Sequence, residues 1–399
     1  MPRMRILAIE TSCDETAVAI LECAGTLENA SYTILGNALF SQADLHAPYG
    51  GVYPSLAKRE HQSNLVPLAV DALTQAGLLE QKASNIQNNT GLAKIRDEQF
   101  KKDVETFLAT HAKPEVDVIA VTHGPGLEPA LWTGINFAEA LGTAWDIPVL
   151  GIDHMEGHIV SGLLKQESEK QLSTFNFQFP LLALLISGGH TELVLMKSWF
   201  DYEHVGRTKD DAVGEAFDKV ARLLDLPYPG GPRVAESAER SRERGESPHT
   251  FPRPMMNDDT CDFSFSGLKT AVLYKLRGME QISEHDKEEI AHAFEDAARD
   301  VLVEKTWRAL QATHPKTLVI GGGVSANTQI RKGLQEMIAK ESPETQLCLP
   351  VQFLTGDNAI MIGAAAYLRV LSGKKSDDAS SDPKGSHELS ALGNLCLSD

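Results

Sequence analysis

Long apolar runs are missing from this chain. The longest one without a polar break, about Phe179 to Ile186, is far short of the roughly 20 residues that cross a bilayer, so no membrane span is expected. Cysteine is sparse as well. Cys13, Cys23, Cys261, Cys348 and Cys396 are scattered, odd in number and form no CxxC, which argues against a disulfide framework or a cysteine zinc site. The opening Met-Pro-Arg-Met-Arg leads directly into apolar Ile6–Ile9 and then acids, with no long hydrophobic region, cleavage site or Arg-rich presequence. A cytoplasmic protein is the expectation. Basic charge is outweighed, 37 Lys and Arg against 55 Asp and Glu, for a net charge of −18. Taken alone, that balance disfavours a nucleic-acid ligand, because phosphate contacts supply most of such affinity.

The 399 residues are 42% hydrophobic and 23% charged, the composition of an ordinary globular enzyme and not of a disordered or fibrous chain. At roughly 100–200 residues per domain, two or three domains are expected.

Two segments share one design. Arg5–Glu10, the polar Thr11–Thr16 and Ala17–Leu21 read as strand, short loop, strand; so do Leu181–Ile186, Ser187–Thr191 and Glu192–Met196. Each is followed later by strand, glycine loop and helix: Val116 to Thr122 with Gly124-Pro-Gly126, and Thr317 to Ile320 with Gly321–Asn327. The repeat is too long for a solenoid. It points to two α/β lobes around a cleft in which loop amides face a phosphorylated ligand. The lobes are expected at 1–153, with a polar insert at 80–115 (Ser84–Gly91, then a charged helix), and at 154–371, with helical additions. Residues 372–399, rich in Ser, Asp, Lys and Gly, read as a loose tail.

The sharpest local motif is His154-Met-Glu-Gly-His158. Histidines at i and i+4 lie on one helix face, close enough to share a metal ion, although such pairs also arise by chance. The zinc-protease motif HExxH fails here, since Met155 and not a glutamate follows the first histidine. Asp357, in Thr355-Gly-Asp-Asn-Ala359, stands at an expected helix start, where it would be either an N-cap or a third ligand. Two histidines and a carboxylate would suit Zn2+ or Fe2+ with positions left open for substrate; spacing does not choose between them.

Further motifs run in order along the chain. They are Ile9-Glu-Thr-Ser-Cys-Asp-Glu-Thr16, Tyr49-Gly-Gly-Val-Tyr-Pro-Ser-Leu-Ala57, Gly124-Pro-Gly126, His154–His158 and Ser187-Gly-Gly-His-Thr191. Gly214–Lys219, Tyr228–Pro232, Phe263–Lys269 and Gly321–Asn327 complete the set. Together they resemble the TsaD family, which includes the catalytic subunit of the archaeal and eukaryotic KEOPS complex, from about residue 4 to 370. The insert and the tail fall outside the resemblance.

The resemblance implies a two-lobed actin-like ATPase (ASKHA) fold, α/β with duplicated lobes and a central cleft. It also implies an acyltransferase that makes N6-threonylcarbamoyladenosine at position 37 of tRNAs reading codons that begin with A. The donor would be threonylcarbamoyl-adenylate, with AMP released. Metal ligands carried over by motif are His154, His158 and Asp357. Donor contacts are Leu185, Ile186, Ser187, Gly188, Gly189, Asp218, Gly231 and Asn327. Implied partners are a TsaB-like paralogue, a TsaE-like ATPase and a TsaC-type enzyme that supplies the donor.

These residue types have chemical sense of their own. Gly188 and Gly189 would let amides approach a phosphate. Asp218 would accept ribose hydroxyls, or else pair with a nearby lysine; Asn327 would bond ribose or base, or else cap a helix. Adenine N6 is a poor nucleophile, so a carboxylate that takes its proton would help, and the acidic loop offers Glu10, Asp14 and Glu15. Asp14 is favoured, then Glu15, against loop carboxylates that merely bond backbone amides. Three acids beside a γ-phosphate weigh against a sugar kinase of the same fold. A metalloprotease and a nucleotide-gated scaffold are the other rivals. The basic clusters Lys58-Arg59, Arg240/Arg242/Arg244, Lys275/Arg277 and Arg331-Lys332 read as solvated surface.

Overall fold

The computed structural model describes residues 3–81, 89–245, 249–373 and 389–397. Twelve strands are described: β1 (Met4–Glu10), β2 (Glu15–Ala24), β3 (Ser31–Ser41), β4 (Val118–Gly124), β5 (Val149–Asp153), β6 (Leu164–Ser168), β7 (Gln171–Thr174), β8 (Leu181–Ile186), β9 (Thr191–Ser198), β10 (Asp201–Arg207), β11 (Thr317–Gly321) and β12 (Gln346–Cys348). They form two sheets, ordered β5-β4-β1-β2-β3-β7-β6 and β10-β9-β8-β11-β12. Within the first, β1, β2 and β3 are an antiparallel meander, while β4 and β5 add in parallel on the other side of β1. In the second, β8, β9 and β10 form the meander and β11 and β12 add in parallel beside β8. The expected duplication is present strand for strand.

The central strands β4, β8 and β11 are buried along their whole length, as their continuous apolar runs require of strands covered on both faces. Helices Pro54–Gln75, Glu98–Thr110 and Glu128–Trp145 cover the outer face of the first sheet. Helices Val213–Leu223, Gly230–Glu243, Ser266–Arg277, Glu284–Thr313 and Thr328–Glu341 cover the outer face of the second.

The inner faces are covered crosswise. Helix His154–Gly162 follows the last parallel strand of the first sheet but packs on the second sheet, through Met155, Ile159 and Leu163. Helix Ala359–Ser372 follows the last strand of the second sheet and packs on the first, against Ile6, Ala8, Ala17 and Leu21. Small residues permit this closeness: a Cβ on Gly162 would lie 2.4 Å from Val319, and one on Gly363 would lie 2.7 Å from Leu21. The two helices also touch each other, so their starts meet at the centre of the molecule.

Three organisational expectations change. The sheets do not divide at 153/154, because β7 pairs with β3 and carries the first sheet on to Thr174. That pairing covers a strand edge that would otherwise be open. Within the insert, 82–88 lie outside the described residues, but helix Glu98–Thr110 buries Phe100, Val104, Phe107 and Leu108 in the first lobe's core. In the tail, 374–388 and 398–399 lie outside the description, yet 389–397 is held. Leu389 is buried, Leu392 N–H donates to the His123 carbonyl at 2.8 Å, and Gly126 N–H donates to the Gly393 carbonyl at 3.1 Å.

Candidate metal and nucleotide site

The chemistry expected of His154, His158 and Asp357 requires them to converge, and they do. Helix His154–Gly162 begins at the first histidine, with Asp153 as its cap accepting from the Met155 and Glu156 amides. Asp357 lies in the loop before helix Ala359–Ser372. Its N-cap alternative is excluded: Asn358 is the cap, accepting from Met361 N–H at 2.9 Å, which leaves the Asp357 carboxylate free. The cluster therefore draws its two histidines from one half of the repeat and its carboxylate from the equivalent place in the other.

Asp357 Oδ1 is 3.4 Å from His154 Nε2 and 3.2 Å from His158 Nε2, and one ligand atom from each residue lies within 4.8 Å of the others. His158 is fully buried, its Nδ1 has no hydrogen-bond partner, and its Nε2 has only the Asp357 carboxylate beside it. A buried ring nitrogen without a partner costs about 1–3 kcal/mol, and Nε2, beside the Asp357 carboxylate and within reach of the other ligand atoms, is placed to give its lone pair to a cation. The opposite nitrogen of His154 faces Glu10 Oε2 at 3.1 Å and Ser12 Oγ at 3.2 Å. A carboxylate there fixes the tautomer and aims Nε2 at the metal position.

Glu10, one of three acids in the loop considered as a base, is thus already engaged. It is fully buried and also accepts from Ser12 N–H at 2.6 Å and Thr122 Oγ1 at 2.5 Å. Burial would raise its pKa, but His154 more than offsets this and lowers it. Burial likewise opposes charge on His154, while Asp357 and then Glu10 hold its proton well above the usual range. Burial lowers His158. Asp357 is held well below the ordinary carboxylate range, against burial, chiefly by His154.

Glu156, the misplaced glutamate of the protease comparison, is committed elsewhere. It is 1% exposed, takes two 2.8 Å bonds from the Arg369 guanidinium and accepts from Tyr202 Oη at 2.6 Å. It is a structural tie between the crosswise helices and cannot activate a water at the histidines. Arg369→Ala strands this buried carboxylate and is expected to destabilise the protein by about 3–5 kcal/mol. Chemical denaturation would check it, and a loss below about 1 kcal/mol would contradict the pairing.

Around several of the second-lobe glycines expected to line the donor site the space is open. A Cβ added at Gly188, Gly189, Gly231 or Gly323 would meet nothing within 4 Å. The first-lobe loop differs. A Cβ on Gly126 would be 2.6 Å from the Ser12 carbonyl oxygen, and one on Gly124 would be 2.2 Å from the Leu392 carbonyl oxygen. That loop is packed against the acidic loop and the tail, so the expectation that glycine loops of both halves face a ligand fails for the first half. Leu185 and Ile186 have fully buried side chains; only the tip Ser187–Gly189 is open.

Asp218 does not pair with Lys219, which binds Asp211 and Glu215 instead. Its Oδ1 accepts the Gly230 amide at 2.7 Å, at the start of helix Gly230–Glu243, and the carboxylate also takes a backbone bond from Gly231. Burial, and with it Asp14, raises its pKa, against the backbone bonds from Gly230 and Gly231. Asn327 is a helix cap: Oδ1 accepts from Gln329 and Ile330 N–H at 3.0 Å each, while Nδ2 donates to Glu295 at 2.6 Å. One amide proton is left for donor recognition.

Asp14 is 8% exposed and accepts from Tyr228 Oη across the cleft at 3.4 Å. Tyr228 precedes Gly230 and Gly231, so Asp14 faces the pocket from the opposite lobe. Glu15 accepts from Ser41 Oγ at 3.1 Å, and burial, then Asp14 and Asp357, raise its pKa well above the usual value. Sequence reasoning did not single out His190. Burial, then His154 and His158, lower its pKa to about 4, which makes it a neutral imidazole close to the metal cluster. Its only prior signal was its place at the tip of the Ser187–Thr191 hairpin.

The fold is two-lobed α/β, with a histidine–carboxylate cluster where the lobes meet and open glycines at the nearby Ser187–Gly189 tip. Residues 33–87 and 105–364 match the family described as TsaD: tRNA N6-adenosine threonylcarbamoyltransferase. A Staphylococcus haemolyticus protein of that name is 40% identical over 369 residues, 92% of each chain. The chain belongs to this family and is a transferase acting on tRNA. Among solved structures, full-length HypF in its phosphate- and nucleotide-bound form is 13% identical, covering 70% of this chain and 42% of that one at a TM-score of 0.46. The ROK hexokinase of Thermus thermophilus is 12% identical, covering 93% and 100% at 0.44. Among the described residues, no helix is long and apolar enough to cross a membrane.

Proposed function

We propose that this chain transfers the threonylcarbamoyl group from threonylcarbamoyl-adenylate to N6 of adenosine 37 in tRNAs reading codons that begin with A. The observation that carries the reading is the fully buried His158 converging with His154 and Asp357, the other ligand atoms of the cluster. His154, His158 and Asp357 would hold one Zn2+ or Fe2+. When bound, it supplies Lewis-acid stabilisation to oxygens of the donor.

The chain's own groups do the rest. The Gly188 and Gly189 backbone admits the phosphate, the Asp218 carboxylate accepts a ribose hydroxyl alongside its backbone bonds, Gly231 leaves room for the nucleoside, and the spare Asn327 amide proton bonds the ribose or base. Asp14, entering from the first lobe, accepts the N6 proton as the new bond forms to the carbamoyl carbon and AMP leaves. Glu15 is the next choice. A TsaB-like paralogue, a TsaE-like ATPase and a TsaC-type donor-forming enzyme are the proposed partners, and a tRNA substrate supports a cytoplasmic location.

Nucleoside analysis of tRNA incubated with this chain, its partners and the adenylate should reveal N6-threonylcarbamoyladenosine; a product-free digest would refute the reading. Gly189→Val should fold normally, because the added side chain enters open space, but that space is the proposed phosphate path. We expect nucleotide affinity to fall at least tenfold by calorimetry. Unchanged affinity would remove Gly189 from the pocket.

A further inference from the structure

The segment between β3 and helix Pro54–Gln75 presents an exposed aromatic pair. Tyr49 and Tyr53 are 63% and 54% exposed, and their rings stack at 5.7 Å between centroids and 22° between planes. Two large rings held parallel in solvent are an unusual arrangement for a surface with no use for them.

Their support is rigid. Tyr53 N–H donates to His46 Nδ1 at 3.3 Å, His46 Nε2 bonds Gln42 Oε1 at 3.1 Å, and Gln42 N–H donates to the Asp14 carbonyl at 2.9 Å. Beside them, His61 bonds the Cys13 carbonyl at 3.0 Å and Thr16 Oγ1 at 2.7 Å. Thr16, Gln42, His46 and His61 are fully buried. A closed polar network therefore joins the tyrosines to the loop that carries Asp14, with three hydrogen bonds between Tyr53 and that residue. Basic residues lie close in the chain and across the lobes. Lys58 and Arg59 are exposed on the first turns of helix Pro54–Gln75. Arg222 reaches over from the second lobe, its Cδ 3.5 Å from where a Gly50 Cβ would stand. Arg59 contacts Glu60 at 3.3 Å, an exposed pair weak enough to yield to a phosphate.

The chemistry of the acceptor selects the occupant. Adenine N6 lies on the pairing edge of the base, so it can be acylated only when unpaired, and its unpaired neighbours lose their own stacking partners. Aromatic platforms edged by cations hold such nucleotides, whereas duplex RNA offers no exposed base faces. Lys58, Arg59 and Arg222 are the basic residues this surface offers to a polyanion despite a net charge of −18. We infer that Tyr49 and Tyr53 are a stacking platform for unpaired nucleotides flanking the target adenosine, with Lys58, Arg59 and Arg222 on their phosphates. This rests on the tRNA reading above.

The test uses the full chain with its partner proteins, preformed donor, and unmodified tRNA carrying 2-aminopurine next to the target adenosine. Tyr49→Ala with Tyr53→Ala should keep the melting temperature and the saturated single-turnover rate. It should raise half-saturating tRNA about tenfold or more and abolish the 2-aminopurine quench. Tyr49→Phe with Tyr53→Phe should behave like the parent, because the ring faces remain. Unchanged half-saturation and quench in the double alanine variant would overturn the platform. Gel filtration showing lost partner assembly, with the quench intact, would also overturn it, assigning the surface to a protein. If the parent chain quenches 2-aminopurine but never modifies tRNA, the functional reading fails and the platform stands.

Discussion

His158→Ala is expected to empty the metal site and lower single-turnover transfer by roughly 10³-fold, the several kcal/mol that a Lewis acid supplies. The fold should survive. Nδ1 of the fully buried His158 has no partner, so its removal relieves about 1–3 kcal/mol of polar desolvation, set against the lost Nε2–Asp357 contact. That relief offsets the packing lost on truncation. The signature is therefore specific: added Zn2+ or Fe2+ raises the melting temperature of the parent and not of the variant. Glu10→Gln provides a graded comparison, because Glu10 touches the far nitrogen of His154 and not the metal position. It should weaken metal binding about 10–100-fold and leave some activity. Elemental analysis showing full occupancy in His158→Ala would end the assignment.

Asp14→Asn is expected to slow transfer by about 10²–10⁴-fold while metal and nucleotide binding stay near parental values. Asparagine keeps the size of aspartate and can still accept from Tyr228 Oη, but it has no basic oxygen. The measurement is single-turnover transfer at saturating tRNA, so that a change in tRNA affinity cannot pass for a change in rate. If Asp14 only supports the loop, the rate stays within a few-fold and the melting temperature falls modestly; Glu15 would then be the base to test. A tighter tRNA complex with preserved turnover would instead mean that Asp14 merely repels the polyanion.

Much of this architecture is legible in one dimension because it is built from local rules. Alternation and turns mark both hairpins, uninterrupted apolar runs mark strands buried on two faces, and the i,i+4 spacing alone puts His154 and His158 on one side of a helix. The insert helix was likewise visible from its composition, though not that its apolar face joins a core. The errors have a common origin. The domain boundary, the loose tail and the open first-lobe glycine loop each depended on what a segment meets far along the chain. β7 meets β3, Leu392 meets His123, and Gly126 meets Ser12.

From its residues alone, the chain determined its duplicated α/β plan, the helix that pairs two histidines, the glycine tips and the acidic loop. Tertiary structure decided which of these have a use. It made Asn358 the cap and so left Asp357 free, and it placed Glu10 on His154 across 144 residues of sequence. It also locked Glu156 to Arg369 and turned Tyr49 and Tyr53 outward beside the loop of Asp14. The physical reason is that a cap or a periodic face is settled by neighbours within a turn or two. A ligand set is settled by the crossing of two helices, each packed on the other lobe's sheet, and no local pattern encodes that crossing.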